Sequence, residues 1–131
     1  MRHRIDKKFF NRDTNARKGL LSALTTNLFL HGEIVTTKPK AQVAARQAAK
    51  MITIAKKGDL SARRRLHRVY GRRDVVNNLV DRVAPLFKDR ESGFTRVIEV
   101  GNRRGDNVKL FKLSLIEVLP PVKEKAKESK K

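Results

Sequence analysis

The side chains able to do covalent or metal chemistry are few. His3, His31 and His67 are the only histidines and lie far apart, without the close spacing of ligands on one element. Asp89 and Glu91 are a paired set of acids, but they sit ahead of a loop among Lys88 and Arg90. Gly105-Asp106-Asn107 could suggest a metal loop, yet a turn closed by its own side-chain hydrogen bonds is the simpler account. The chain has no cysteine, hence no disulfide frame, thiolate zinc site or thiol nucleophile. No nucleophile elbow, Walker loop or dinucleotide-binding glycine pattern occurs. The expectation is a protein with no catalytic residues, no metal, no cofactor and no small-molecule substrate.

What remains is charge. Lysine and arginine number 32 against 13 acids, a formal charge of +19 over 131 residues, with a pI near 11.2. Such a chain repels itself unless a polyanion neutralises it, and nucleic acid is the commonest polyanion. The cations come in groups. Arg2, His3, Arg4, Lys7, Lys8 and Arg12 precede Asp13, and Arg17 and Lys18 follow it. Lys38 and Lys40 flank Pro39, Arg63, Arg64 and Arg65 begin a run reaching Arg73, and Arg96, Arg103 and Arg104 come late. No acid interrupts Leu60 to Arg73. Like charges this close on a helix repel by up to a few tenths of a kcal/mol per pair. Clustering against that cost reads as a phosphate surface rather than a merely solvated face. Arg17 and Lys18 would likewise sit near the positive end of a helix dipole, a cost that an anionic partner offsets. Aromatics are 5% and tryptophan is absent, which argues against a stacking platform for single strands. Contact with a folded RNA at many phosphates, read by shape, fits best. The rival is an architectural DNA-binding protein with arginines in a minor groove.

The elements that must carry these cations can be read from periodicity. Residues 36–57 predict a long amphipathic helix. Ala41, Ala44, Ala45, Ala48, Ala49, Ile52 and Ala55 lie on one face, while Lys40, Arg46, Lys50 and Lys57 lie off it. Pro39 suits its first turn and Gly58 its end. The alanine face predicts a core in close contact with a hairpin and with a helix at 75–83. Before it, Asp13, Thr14 or Asn15 caps a helix striped by Leu20, Leu21, Leu24, Leu28 and Phe29 and ended by Gly32. Ile34 and Val35 suggest a short strand. After Gly58, Asp59 or Ser61 caps a third helix ending near Gly71. Asp74 then caps a fourth, with Val75, Val76, Leu79, Val80 and Val83 inward, ending near Ala84 ahead of Pro85. Phe94–Val100 and Val108–Val118 are rich in β-branched residues around a glycine-containing loop and predict an antiparallel hairpin. The alternation slips near Ile116, read as a bulge or a strand buried on both sides.

The expected class is α+β, a small sheet ending in a C-terminal hairpin, in the order helix, strand, three helices, two strands. The domain division is a basic RNA-binding arm over 1–13, one α/β domain over 14–119 and a disordered Lys/Glu-rich tail over 120–131. The arm reads as an extended segment that orders on its partner. No apolar run reaches membrane-spanning length and no signal peptide opens the chain, so the expected address is the cytoplasm, with no membrane partner.

Met1-Arg-His-Arg, Thr36-Thr-Lys-Pro-Lys-Ala, Ile52-Thr-Ile-Ala-Lys, Gly93-Phe-Thr-Arg-Val and Arg104-Gly-Asp-Asn follow one another in an order and spacing that resemble the bacterial large-subunit ribosomal protein L-seventeen family. The resemblance covers roughly residues 1 to 118. It implies a two-layer α/β fold and a structural constituent of the large ribosomal subunit. The implied partners are large-subunit rRNA near the peptide-exit region and neighbouring ribosomal proteins. Carried over by position, it implies RNA contacts at Arg2, His3, Arg4, Arg12, Arg17, Lys38 and Lys40, with Arg96 and Arg104 in the matching hairpin motifs. The chain departs from the family pattern at Ala16, where a histidine is usual, near Leu24, where the first helix usually carries a further arginine, and at Val108-Lys109-Leu110.

Overall fold

The computed structural model describes residues 8–120. Helix α1 spans Thr14–His31, β1 Glu33–Thr37, α2 Lys38–Ala55, α3 Leu60–Tyr70 and α4 Arg73–Asn78; β2 spans Thr95–Asn102 and β3 Lys109–Leu115. The strands form one antiparallel sheet in the order β1-β3-β2. The expected α+β class and element order stand.

Local rules account for most boundaries. Asp13 caps α1 by accepting from the Ala16 N–H, and Asp59 caps α3 by accepting from the Ala62 N–H. Gly32 ends α1 in the left-handed region, its N–H reaching the Leu28 carbonyl at 2.8 Å. A Cβ there would lie 3.4 Å from the Leu119 side chain, an ordinary contact, so it is the φ of 83° that calls for glycine.

The core is where the alanine spacing put it. Ala41, Ala44, Ala48, Ile52 and Ala55 are buried, with Ala45 and Ala49 half-buried beside them. Against this face pack β2, β3, α3 and the segment after α4. Phe111, Leu113 and Leu115 supply the sheet's inner layer by strict alternation. Phe29 meets Tyr70 edge-on at 6.2 Å, and Phe87 meets Phe94 at 5.2 Å. Their register puts Val35, Lys112 and Ile98 in one row on the sheet's other face, where Val35 and Ile98 are exposed.

Three expectations need correction. The helix expected from Asp74 to Ala84 begins at Arg73, stays α-helical only to Asn78, widens into a π turn over Leu79–Val83 and closes as a 3-10 turn over Ala84–Phe87. Pro85 has no N–H to donate to a regular ladder, and the apolar positions reach the core by widening instead. The second hairpin strand ends at Leu115 rather than Val118. The irregularity foreseen near Ile116 is the strand's end, since the Ile116 N–H bonds to the Phe94 carbonyl outside the ladder. The bulge lies in β2, where Val100 is the extra residue between Glu99 and Gly101. Finally, the described part of the arm is not extended: Phe10 and Asn11 have positive φ and the Arg12 N–H returns to the Phe9 carbonyl, making a turn.

Candidate nucleic-acid interface

Cations on α1 and α2 converge because both helices turn an apolar stripe inward and leave the other side to water. Lys8, Arg17, Arg46 and Lys50 line a groove of about 390 Å³ floored by Leu21, Val43 and Met51. Arg17 is fixed there: its guanidinium lies 5.0 Å from the centre of the Phe9 ring and donates to the Arg12 carbonyl at 3.3 Å. Phe9 thus orders the end of the arm over α1. Lys18 is exposed on the next position. Arg46 and Lys50, one turn apart on α2, were legible as its basic side but not as partners of Arg17. That pairing depends on how α1 lies across α2.

Helix α3 sorts the arginine run. Ala62, Leu66 and Tyr70 face the core at a spacing of four. Arg63 turns toward the helix that follows, donating to Asn77 Oδ1 at 3.0 Å and Asp81 Oδ1 at 2.7 Å. Arg64, Arg65 and Arg68 point to solvent with no partner among the described residues. Arg63 is therefore a brace first, and Arg68 takes the outward place that sequence reasoning gave it. An i, i+4 count from Ala62 and Leu66 puts Arg64 and Arg68 on the far side of the helix, but the partners of Arg63 depend on how α3 packs on the helix that follows.

At the sheet end, Arg96 is exposed on β2, opposite Ser114. Arg103 and Arg104 lie in the hairpin loop as expected, but differ in state. Arg103 forms a two-pronged pair with Asp106, and its guanidinium holds that carboxyl at a pKa of about 2. Arg104 is exposed and unpaired among the described residues. Gly105-Asp106-Asn107 is the side-chain-bonded turn, with Asn102 donating to Asn107 Oδ1 at 2.7 Å. Lys38 lies with its ammonium 5.6 Å from the Phe111 ring, and Lys40 is half-buried near the start of α2. Arg2, His3, Arg4 and Lys7 lie outside the described residues.

Nothing in this surface suggests covalent chemistry. Among the described residues no cluster of His, Asp or Glu could hold a metal, and no helix is long and apolar enough to cross a membrane. Six ion pairs engage acids on the described surface, those of Arg63 and Arg103 among them, yet Lys18, Arg64, Arg65, Arg68 and Arg104 keep their charge outward. Fold and surface together define a small α+β protein whose exposed cations suit a polyanion. The model of the family described as ribosomal protein L17 matches residues 20–116, and the chain belongs to that family. A relative from Finegoldia magna named large ribosomal subunit protein bL17 is 41% identical over 120 residues, covering 92% of each chain. The protein of the same name from Heliobacterium modesticaldum is 45% identical over 82% of this chain and 96% of its own. That from Anaeromyxobacter dehalogenans is 40% identical over 98% of this chain and 79% of its own.

Proposed function

We propose that this chain, as a structural constituent of the large ribosomal subunit, neutralises and braces folded large-subunit rRNA through the arm–α1–α2 groove, the outer face of α3 and the hairpin tip. The observation that carries the reading is the convergence of Lys8, Arg17, Arg46 and Lys50 on one groove in a chain whose cations outnumber its acids by 32 to 13. Family membership supports RNA over DNA as the polyanion. The resemblance of its motifs supports a position near the peptide-exit region, beside other large-subunit proteins.

Titration against large-subunit rRNA fragments at several salt concentrations tests this. Each phosphate contact adds about 0.9 to the slope of log affinity against log salt for a duplex. Neutralising Arg2, Arg4, Lys7, Lys8 and Arg12 together should flatten the slope by roughly three to four units. Arg104→Ala should remove up to about one, while Arg103→Ala should remove less, because its charge is already spent on Asp106. Equal slopes for wild type and the arm variant would take the arm off the interface.

A further inference from the structure

Between α3 and the start of α4 lies a second cleft of about 290 Å³, and its composition differs from that of a plain phosphate surface. Leu60 stands in it 64% exposed, and Val76 closes the floor. Arg64, His67 and Arg73 stand around this apolar floor. One wall is set by the Arg63 guanidinium, which donates to Asn77 Oδ1 and Asp81 Oδ1. That bond uses the carbonyl oxygen of Asn77, and its amide nitrogen has no partner among the described residues. Phosphate needs the arginines alone; it gives no reason to keep a leucine in water among them. A nucleotide uses every part: an apolar floor for the flat base, an amide donor for its edge, and guanidinium groups for its phosphate. The volume is at the small end of ligand sites, enough for one nucleoside and not for a stacked run.

We propose that this cleft holds a single unstacked nucleotide of the RNA, with its base on Leu60 and Val76 and its phosphate on Arg64 and Arg73. The inference rests on the RNA-binding reading above, and it adds a base-dependent contact to a surface otherwise read through charge. RNA offers such nucleotides at bulges and loops, where bases are splayed from the helix. The flanking phosphates would then run toward Arg65 and Arg68 on the outer face of α3.

The test follows the methyl resonances of Leu60 and Val76 in the full-length protein during titration with three probes: nucleoside 5′-monophosphates, ribose 5-phosphate and inorganic phosphate. The expected result is saturable movement of both methyl sets with the monophosphates and none with the other two. Movement with all three probes alike would make this a phosphate site and overturn the proposal, as would no movement with any. Leu60→Ser changes an exposed side chain, and should abolish the base-dependent shifts while leaving the fold intact. A short single-stranded RNA should bind the cleft at least about tenfold more tightly than the monophosphate, since its added phosphates reach more cations. A monophosphate binding as tightly as the oligonucleotide would assign the cleft to a free nucleotide and overturn the RNA reading of it. The arm-dependent salt slope is independent of Leu60, so failure of the cleft and failure of the wider interface are distinguishable.

Discussion

Replacing Asn78 with alanine removes a side chain that ties α1 to the π turn and, through Arg82, to Pro120. Asn78 is buried at the last position of α4. Its amide nitrogen donates to the Phe29 carbonyl at 2.7 Å, and its oxygen accepts from Arg82 Nη1 at 2.6 Å. Arg82 in turn donates through Nη2 to the Pro120 carbonyl, while its Nε is buried without a partner among the described residues. The guanidinium therefore already carries one unmet donor, and the substitution would add a second. A lost bond to a neutral carbonyl costs about 1 kcal/mol, and one to a charged group about 1.5 to 3. The sum is about 2.5 to 4 kcal/mol, or about 10 to 16 °C of melting temperature at about 4 °C per kcal/mol for a domain of this size. Asn77→Ala is the control. It is exposed and loses only the bond from Arg63, for under about 1 kcal/mol. Thermal melting by circular dichroism reads both variants. If Asn78→Ala melts within about 3 °C of wild type, the network contributes no net stability and the reasoning fails. A double-mutant cycle with Arg82→Met should show coupling of at least about 1 kcal/mol.

Ala48→Arg should unfold the domain, since Ala48 is fully buried and an unpaired charge there has no route to water; the control Ala48→Gly should cost about 2 kcal/mol, from helix propensity and one lost buried methyl. Unchanged melting of the arginine variant would mean that the alanine face is not the core. Stability should also fall at alkaline pH through Tyr70, which donates to Thr25 Oγ1 at 3.1 Å and whose burial pushes its pKa up to about 12. An unfolded tyrosine releases its proton near pH 10. The folded state thus keeps a proton that the unfolded state loses, so the contribution is whole below pH 10 and disappears between 10 and 12. Over that window it amounts to roughly 2 to 3 kcal/mol. Because the chain has one tyrosine, tyrosinate absorbance reports this group alone. Titration at the ordinary value in the folded protein, or an equal alkaline loss in Tyr70→Phe, would contradict it.

What the sequence made legible was whatever depends on neighbours a few residues away. The alanine spacing from 41 to 55, the caps Asp13 and Asp59, the stops Gly32 and Gly71 and the alternation of Phe111, Leu113 and Leu115 are all local rules, and each appears in the fold. What it hid depends on distant chain. Arg63 looked like another outward cation, but its partner Asp81 lies 18 positions on. Asn78 had no special mark, because its acceptor Phe29 is 49 positions back. The π turn at Leu79–Val83 obeys the apolar pattern expected of a helix and breaks only its hydrogen-bond ladder, which hydropathy does not record. The position of β3 between β1 and β2 likewise cannot be read from the hairpin alone. The cationic surface was legible as composition, whereas the division of its members into outward charges and internal braces needed the packing of α3 on α4.

The bare side of the sheet carries a consequence for handling the protein outside its particle. Val35, Ile98 and Val100 are exposed there, and β2 pairs only with β3 among the described residues, so one row of backbone donors and acceptors stands open. Such an edge is a template for sticking to another copy. In dilute buffer, mutual repulsion between molecules of charge +19 keeps copies apart. Concentrated salt strips such a protein from RNA, but at about 1 M it also shrinks the reach of that repulsion to about 3 Å. The step that frees the molecule is therefore the one that exposes it to aggregation. Dilution, or exchange onto a soluble polyanion, is the route that preserves it.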